Sequence, residues 1–274
     1  MRTFVITGGT DGMGRGLGLH YLEREDRVIA VGSSEAKGTR FLAAAADLGA
    51  AERASFVRAD LSTVAGVRAV VDQMPEVIDV LVLAAQRFQG KRVETEDGLE
   101  SSFALGYLSR YLLGHDLLDR LERAEAPLVL NIAAPGSPGK MRFGDLQQRT
   151  GYSAMRAATQ TARRNDLLGV SFTQVHPDAR TRYVLYAPGL VATGLSESMS
   201  QPARTLNKVL GRLFAAPVDK AIAPMIELID ERPAAGLTVY NKGRSLPVAG
   251  PAFDPANAER LHKETADLVA SISR

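Results

Sequence analysis

Short apolar runs alternate with longer segments of helical period along the whole chain, and this alternation constrains the fold more than any other feature. Each run is nearly continuous in apolar residues, as strands buried on both faces require. Strands connected through helices run parallel, because a helical crossover returns the chain to the same edge of the sheet. The pattern therefore predicts a doubly wound α/β fold, in which helices cover both faces of a seven-stranded parallel sheet. The predicted strands are Thr3–Ile6, Val28–Val31, Ser55–Val57, Val80–Leu83, Leu128–Ile132, Tyr183–Tyr186 and Leu237–Tyr240.

The chain length fits one such unit. α/β folds of about this size commonly form one domain, so we interpret residues 1–274 as a single domain. The clearest helices are predicted at Asp97–Arg123 and Ala256–Ile272. A long polar stretch, 194–217, separates a predicted strand from a helix, which favours a substrate lid. A surface loop without a role is the alternative.

Composition excludes several classes of protein. The 33 basic residues are interspersed with 31 acidic ones, so no basic stripe suits nucleic acid. Cysteine is absent, which fits a reducing compartment, and the four histidines show no metal-ligand spacing. The N-terminus enters a strand at once, and no apolar run approaches the ~20 residues that cross a bilayer. We therefore expect a cytoplasmic protein with a small-molecule substrate and without a metal, nucleic-acid or membrane partner.

A glycine-rich turn follows the first predicted strand. It reads Thr7-Gly8-Gly9-Thr10-Asp11-Gly12-Met13-Gly14, and a helical pattern begins at Gly12. Glycines let the backbone turn sharply and approach a pyrophosphate, which then binds the unpaired N–H groups at the helix N-terminus. In a strand-turn-helix unit that opens an alternating chain, this signal indicates a Rossmann-type dinucleotide site.

The spacing Gly8-x-x-x-Gly12-x-Gly14 resembles the glycine motif of the short-chain dehydrogenase/reductase family. Further landmarks follow in the family's order: the pair Asp60-Leu61 after the third strand, Tyr152 at a predicted helix start, and the segment 188–193 after the sixth strand. The segments 95–103 and 261–264 resemble the retinol-dehydrogenase-like branch. The resemblance covers essentially the whole chain.

The resemblance and the glycine turn together imply a cofactor site. Its predicted residues are Gly8, Thr10, Asp11, Gly12, Met13, Gly14, Ser33, Ser34, Asp60, Leu61, Ala84, Ala85, Gln86, Tyr152, Arg156, Pro188, Gly189, Val191 and Thr193.

The second strand bears on the choice of cofactor. An NAD site normally carries an acidic residue about twenty residues after the glycine turn, where it binds the ribose hydroxyls. Here Ser33 and Ser34 stand at that place, with Lys37 and Arg40 nearby. These residues can accept a 2′-phosphate, so NADP(H) is favoured over NAD(H). Asp11 argues the other way, because NADP-using relatives often carry a basic residue there.

The family's catalytic positions are only partly kept. The resemblance implies that Tyr152 is a general acid/base and that Arg156, four residues on, replaces the family's lysine and lowers the tyrosine pKa from the same helix face. Arginine keeps the charge but differs in shape. The family's serine position holds Ala134, unless Ser137 substitutes for it, and its asparagine position holds Gly106.

These residues predict an oxidoreductase that transfers a hydride between NADP(H) and a carbonyl, alcohol or enone of a small, largely apolar substrate. Apolar side chains at Met141, Phe143, Leu195 and Met199 suggest the substrate pocket. The missing groups leave two alternatives, a non-redox isomerase or cyclase and a dinucleotide-responsive regulator. By analogy with the family, we expect a homodimer or homotetramer.

Overall fold

The computed structural model describes residues 1–189 and 217–272, and these contain one eight-stranded sheet. All seven predicted strands are confirmed, and they pair in parallel in the order β3-β2-β1-β4-β5-β6-β7. An eighth strand pairs antiparallel with β7 at the edge. The strands are β1 (Thr3–Thr7), β2 (Arg27–Gly32), β3 (Ala54–Arg58), β4 (Val80–Leu83), β5 (Leu128–Ile132), β6 (Arg182–Ala187), β7 (Leu237–Asn241) and β8 (Arg244–Leu246).

The eighth strand was not predicted because it is very short. It is joined to β7 by a turn at Lys242 and Gly243, whose φ angles are 50° and 76°. Two successive positive φ angles are typical of the tight hairpin turn that joins antiparallel strands. The prediction of seven parallel strands therefore holds for β1 to β7, and the hairpin adds β8.

Helices cover both faces, as predicted. One layer contains α1 (Gly12–Glu23), α2 (Glu35–Asp47) and α8 (Val218–Glu231), packed on Phe4, Ile6 and other apolar side chains of the sheet. The opposite layer contains α3 (Val64–Asp72), α4 (Ser101–Phe103), α5 (Ser109–Asp116), α6 (Leu118–Glu122), α7 (Ala154–Val175) and α9 (Pro255–Ile272). None of the helices in the described ranges is long and apolar enough to cross a membrane.

The helix predicted over Asp97–Arg123 begins later and is not uniform. The Glu100 carboxylate accepts hydrogen bonds from the backbone N–H groups of Ser102 and Phe103, both at 2.8 Å, and so caps α4 at Ser101. Gly98, with φ of 71°, lies in the turn before this cap. A π-helical turn, Ala104–Leu108, then joins α4 to α5. Such turns are frequent at functional sites.

The connection order reverses between β1 and β4. From β1 the chain winds outward to β2 and β3, and it returns to the other side of β1 as β4. The helices after β1 and β4 consequently lie on opposite faces and leave a crevice at the carboxyl ends of these strands, where ligands of such sheets bind.

Candidate functional site

A cavity of about 350 Å³ opens at this crevice. The predicted residues from the first four strand ends are brought together in its wall: Gly8, Thr10, Asp11, Gly12, Met13, Gly14, Ser33, Ser34, Asp60, Leu61, Ala84, Ala85 and Gln86. They come from separate segments of the sequence. The cavity is therefore formed by the fold and not by one local motif.

The glycine turn is shaped by close backbone approach. Gly8 has a φ of 67°, and a Cβ atom there would lie 3.0 Å from the backbone of Ala85. A Cβ on Gly14 would lie 2.5 Å from the carbonyl oxygen of Gly8. The Asp11 carboxylate accepts a hydrogen bond from the Gly12 N–H at 2.8 Å and caps α1. The turn thus presents the N-terminus of α1 to the cavity.

Thr7 positions the opposite wall and was not among the predicted site residues. Its buried hydroxyl donates to the carbonyl of Val82 at 3.3 Å and accepts from the N–H groups of Ala84 and Ala85 at 3.1 and 3.2 Å. These bonds tie the end of β1 to the segment that follows β4. The sequence signal that could have indicated this role is the hydroxyl residue at the end of the first strand, directly before the glycine turn.

One end of the cavity is polar and charged. Ser33, Ser34 and Lys37 line it beside Asp11, and the Lys37 ammonium pairs with the Asp11 carboxylate at 2.5 Å. Partial burial raises the pKa of Asp11, but the Lys37 ammonium and the Gly12 N–H lower it by more, so the carboxyl is an anion at neutral pH. A cation and an anion therefore share this end.

The other end is formed by the segment after β4. The sequence predicted this segment as part of the site only as far as Gln86. Arg87, Phe88 and Gln89 line it together with Ser101 and Leu105. Within the described ranges, the buried Ser101 hydroxyl has no hydrogen-bond partner. A buried polar atom without a partner in a cavity-lining residue marks a candidate point of ligand contact.

Tyr152 lies one hydrogen bond behind this end of the cavity. Its hydroxyl donates to the carbonyl of Gln89 at 2.8 Å. Burial raises the pKa of Tyr152, a hydrogen bond with Ser102 partly offsets this effect, and the charge of Glu100 adds to it. The hydroxyl is therefore protonated at neutral pH.

The predicted pairing of Tyr152 with Arg156 on one helix face is wrong. Ser153 has extended backbone angles and is the N-cap residue of α7, which begins at Ala154, so Tyr152 precedes the helix. The Arg156 guanidinium donates to the carbonyl of Gly151 at 2.6 Å. It makes no contribution to the raised pKa of Tyr152, and neither residue lines the cavity.

Among the predicted residues that the structure describes, we find no direct substitute for the two absent family groups. The Ser137 hydroxyl donates to the carbonyl of Ala134 at 2.5 Å, and Ser137 does not line the cavity. Gly106 lies in the π turn, where a Cβ atom would meet Thr161 Cγ2 at 2.7 Å and Gln86 Oε1 at 3.1 Å. An asparagine does not fit there without displacement of both neighbours.

The remaining predicted residues fall elsewhere. Pro188 and Gly189 follow β6 but do not line the cavity. Met141 and Phe143 pack against the apolar core beneath the second helix layer. Val191, Thr193, Leu195, Met199 and all of the predicted lid except Pro217 lie outside the described residues.

Three of the four histidines, which are far apart in the sequence, meet in the fold. His115 Nδ1 lies 2.8 Å from His176 Nε2, and the ring of His262 lies 5.3 Å from that of His115. No local pattern indicated this cluster, because its members lie on α5, just after α7 and on α9. Over residues 1–189 and 217–272, no group of His, Asp or Glu side chains could hold a metal ion.

Together, the doubly wound sheet and the cleft at its crossover define an α/β protein of the dinucleotide-binding class. A model of the short-chain dehydrogenase family matches residues 2–203. The chain therefore belongs to the short-chain dehydrogenase family of oxidoreductases, and relatives place it in the retinol-dehydrogenase-like branch.

Two relatives illustrate this placement. Polyprenol dehydrogenase from Danio rerio is 28% identical over 281 residues, which cover 97% of this chain and 86% of that protein. Retinol dehydrogenase 12 from Mus musculus is 27% identical over 228 residues, covering 74% and 71%. A short-chain dehydrogenase from Sphingobium yanoikuyae, solved in complex with NADPH, has the same fold. Its TM-score is 0.66 at 18% identity, covering 98% of this chain and 95% of that one.

Proposed function

We propose that the protein is an NADP(H)-dependent oxidoreductase acting on a carbonyl, alcohol or enone of a largely apolar small molecule. The cavity at the β1/β4 crossover carries this proposal, because it joins the glycine turn to two serines and a lysine at one end. The bound dinucleotide supplies or accepts the hydride, and the chain binds and orients both reactants.

The polar end of the cavity supports NADP(H) over NAD(H). Ser33 and Lys37 can both donate hydrogen bonds to a 2′-phosphate, and the two residues directly after β2 that line the cavity are serines and not carboxylates. Calorimetric titration of the purified protein with NADPH and with NADH tests the preference. We expect tighter binding of NADPH, and we expect Ser33→Asp to shift the preference toward NADH through repulsion of the phosphate. Equal affinities in the unmodified protein would refute it.

The relatives support an apolar substrate. The names polyprenol dehydrogenase and retinol dehydrogenase 12 refer to long or cyclic apolar alcohols. We propose an alcohol or carbonyl of that general kind for this chain. Turnover measured against a panel of apolar alcohols and aldehydes, with small polar ones for comparison, tests this step.

Tyr152 is proposed as the proton donor to the substrate oxygen. Its raised pKa keeps the hydroxyl protonated, as a donor requires, and its bond to Gln89 places it beside the end of the cavity away from Ser33. Tyr152→Phe should lower turnover by about 10²-fold or more while NADPH affinity stays the same. Tyr240→Phe on β7 is the matched control. Wild-type turnover by Tyr152→Phe would exclude this role.

Arg156 enters the proposal as a positioning residue. Because it donates to Gly151 and does not lower the Tyr152 pKa, its effect is on the turn that holds Tyr152. Arg156→Met should lower turnover without moving the pH profile. A shifted profile would show instead that its charge acts on the reacting proton.

The same binding and turnover measurements distinguish the non-redox alternatives from an oxidoreductase. Tight NADPH binding without NADPH consumption across the whole panel would favour an isomerase, a cyclase or a dinucleotide-responsive regulator. We also propose a cytoplasmic homodimer or homotetramer, by analogy with the family. Light scattering during size-exclusion chromatography tests the assembly.

A further inference from the structure

Arg110 is a buried cation directly behind the cavity wall. The residue is 3% exposed and lies on α5. Its Nη2 donates to the carbonyl of Ala85 at 3.1 Å and to Gln86 Oε1 at 3.3 Å, and both of these residues line the cavity. Its Nη1 donates to Asn131 Oδ1 at 2.5 Å and to the carbonyl of Ile132 at 2.8 Å. The guanidinium therefore joins the ends of β4 and β5.

The partners of Arg110 are all neutral. Two other arginines of the same layer are equally buried, but each has a carboxylate nearby: Arg163 pairs with Asp166, and Arg164 interacts with Glu100. Within the described residues, no carboxylate pairs with Arg110. Burial lowers the pKa of Arg110 to about 10, so the group stays charged at neutral pH. The cavity wall is thus backed by an unneutralised charge.

The end of the cavity that this charge lies behind determines its effect. Ser33 and Lys37 stand at one end, where the proposed function places the adenosine ribose and its phosphate. Gln86 and the residues after it, with Leu105, form the opposite end, which then receives the nicotinamide ring. Arg110 lies on this second side. Arg87 is also a cation there, but it is exposed, and water screens its charge more strongly.

We propose that Arg110 makes the site bind the reduced dinucleotide more tightly than the oxidised one. The oxidised nicotinamide ring carries a positive charge and the reduced ring does not. The phosphates are the same in both forms, so a fixed cation attracts them equally and cancels from the comparison. The ring charge alone distinguishes the two forms, and a buried cation on that side repels the oxidised one.

By linkage, the same difference in affinity shifts the equilibrium between the bound reactants. When the reduced form binds more tightly, the bound oxidised cofactor becomes a stronger hydride acceptor than it is in water. When cofactor and substrate are both bound, the equilibrium therefore shifts toward reduced cofactor and oxidised substrate. The equilibrium constant changes by the ratio of the two cofactor dissociation constants. This inference rests on the proposed dinucleotide site but not on the choice between NADP(H) and NAD(H).

The test is the ratio of the Kd values for the oxidised and reduced forms, measured by calorimetry for both the NADP and the NAD pair. Arg110→Met removes the charge, and Arg110→Lys keeps it while changing the hydrogen bonds. Asn131→Asp is a third variant that leaves Arg110 in place and gives it a carboxylate at the 2.5 Å contact. Unit charges about 10 Å apart at an effective dielectric of about 20 change an affinity by roughly tenfold.

We expect the ratio to fall several-fold in Arg110→Met and in Asn131→Asp, and to stay near the wild-type value in Arg110→Lys. A merely structural role would weaken both forms by the same factor and leave the ratio unchanged in every variant, which would overturn the inference. If Arg110→Met does not fold, Asn131→Asp against wild type decides. Failure of the wild-type protein to bind any of the four dinucleotides would instead refute the proposed function.

Discussion

Asp11 acts in two opposite ways on the charged end of the cavity. Its carboxylate caps α1, which stabilises the turn that a dinucleotide needs. The same carboxylate holds the Lys37 ammonium at 2.5 Å and adds a negative charge where a 2′-phosphate is proposed. Asparagine preserves the capping oxygen and removes the charge, so the two effects can be separated.

We predict that Asp11→Asn raises the affinity for NADPH by roughly three- to tenfold and leaves that for NADH almost unchanged. The freed Lys37 would pair with the 2′-phosphate, which NADH lacks. Calorimetric titration measures both affinities, and Asp47→Asn at the exposed end of α2 is the control. An equal gain for both cofactors would mean that Lys37 does not contact the phosphate.

Gly106 shows that an absent family residue cannot simply be restored. We predict that Gly106→Asn destabilises the fold by about 1–3 kcal/mol, because its Cβ meets Thr161 Cγ2 at 2.7 Å inside the core. Urea unfolding gives the free energy. Gly114→Ala is the control on the neighbouring α5, where the added Cβ meets Phe172 at an ordinary 3.9 Å. A double substitution, Gly106→Ala with Thr161→Ser, should recover stability relative to Gly106→Ala alone.

At the scale of elements, the strand-turn-helix unit from β1 to α1 is the part on which binding most depends. Gly14→Val would place side-chain atoms against Gly8, since even the Cβ lies 2.5 Å from its carbonyl oxygen. We predict loss of dinucleotide binding with retention of the folded sheet. Cofactor fluorescence and circular dichroism measure the two properties, and Gly144→Ala, whose Cβ meets nothing within 4 Å, is the control. Retained binding would show that the turn has another use.

The elements also show how far sequence reasoning reaches. Apolar runs such as Val80–Leu83 predicted the strands, because double-sided burial leaves a local signal. The positions of the glycine turn and Ser33 at the cavity were also predictable, because each directly follows the end of a predicted strand. The Tyr152–Arg156 pairing failed because a spacing of four implies a shared face only inside a helix, and Ser153 is extended. Arg110 was missed because its partners lie on other elements and become neighbours only in the fold.

At the scale of the whole molecule, the histidine cluster ties the chain's last helix to its centre. His262 of α9 packs beside His115 of α5, and His176 directly follows α7. Burial and the two neighbouring imidazoles lower the pKa of His115 to about 3. Burial also lowers the pKa of His176, although Glu122 and Asp119 act against this, and it lowers that of His262. The folded cluster is therefore uncharged at neutral pH.

This arrangement predicts acid sensitivity. Because the folded pKa of His115 lies below its unfolded value of about 6.5, the unfolded chain binds the extra proton first as pH falls. The contribution of uncharged His115 to the free energy of unfolding is fully present above about pH 6.5 and is lost progressively toward pH 3. By pH 5 this group alone has lowered the free energy of unfolding by about 2 kcal/mol. Urea unfolding at pH 7.5 and pH 5 measures the loss.

His115→Asn keeps a group at the Nδ1 position and should reduce the difference in unfolding free energy between the two pH values. Comparing this variant with wild type cancels the contributions of all other titrating groups. An undiminished difference in His115→Asn would assign the acid sensitivity elsewhere.

The position of Gln86 between Gly106 and the Arg110 guanidinium has a consequence for which substitutions the chain tolerates. The small residue at 106 leaves room for the Gln86 side chain, and Gln86 in turn accepts from Arg110 at 3.3 Å. The size of residue 106 and the polarity of residue 110 are therefore linked through Gln86, which neighbours both. We therefore expect a side chain introduced at position 106 to displace Gln86, and a displaced Gln86 to lose its hydrogen bond from Arg110. The effect of a substitution at position 106 therefore reaches the buried cation behind the cavity wall, although residue 106 itself has no side chain.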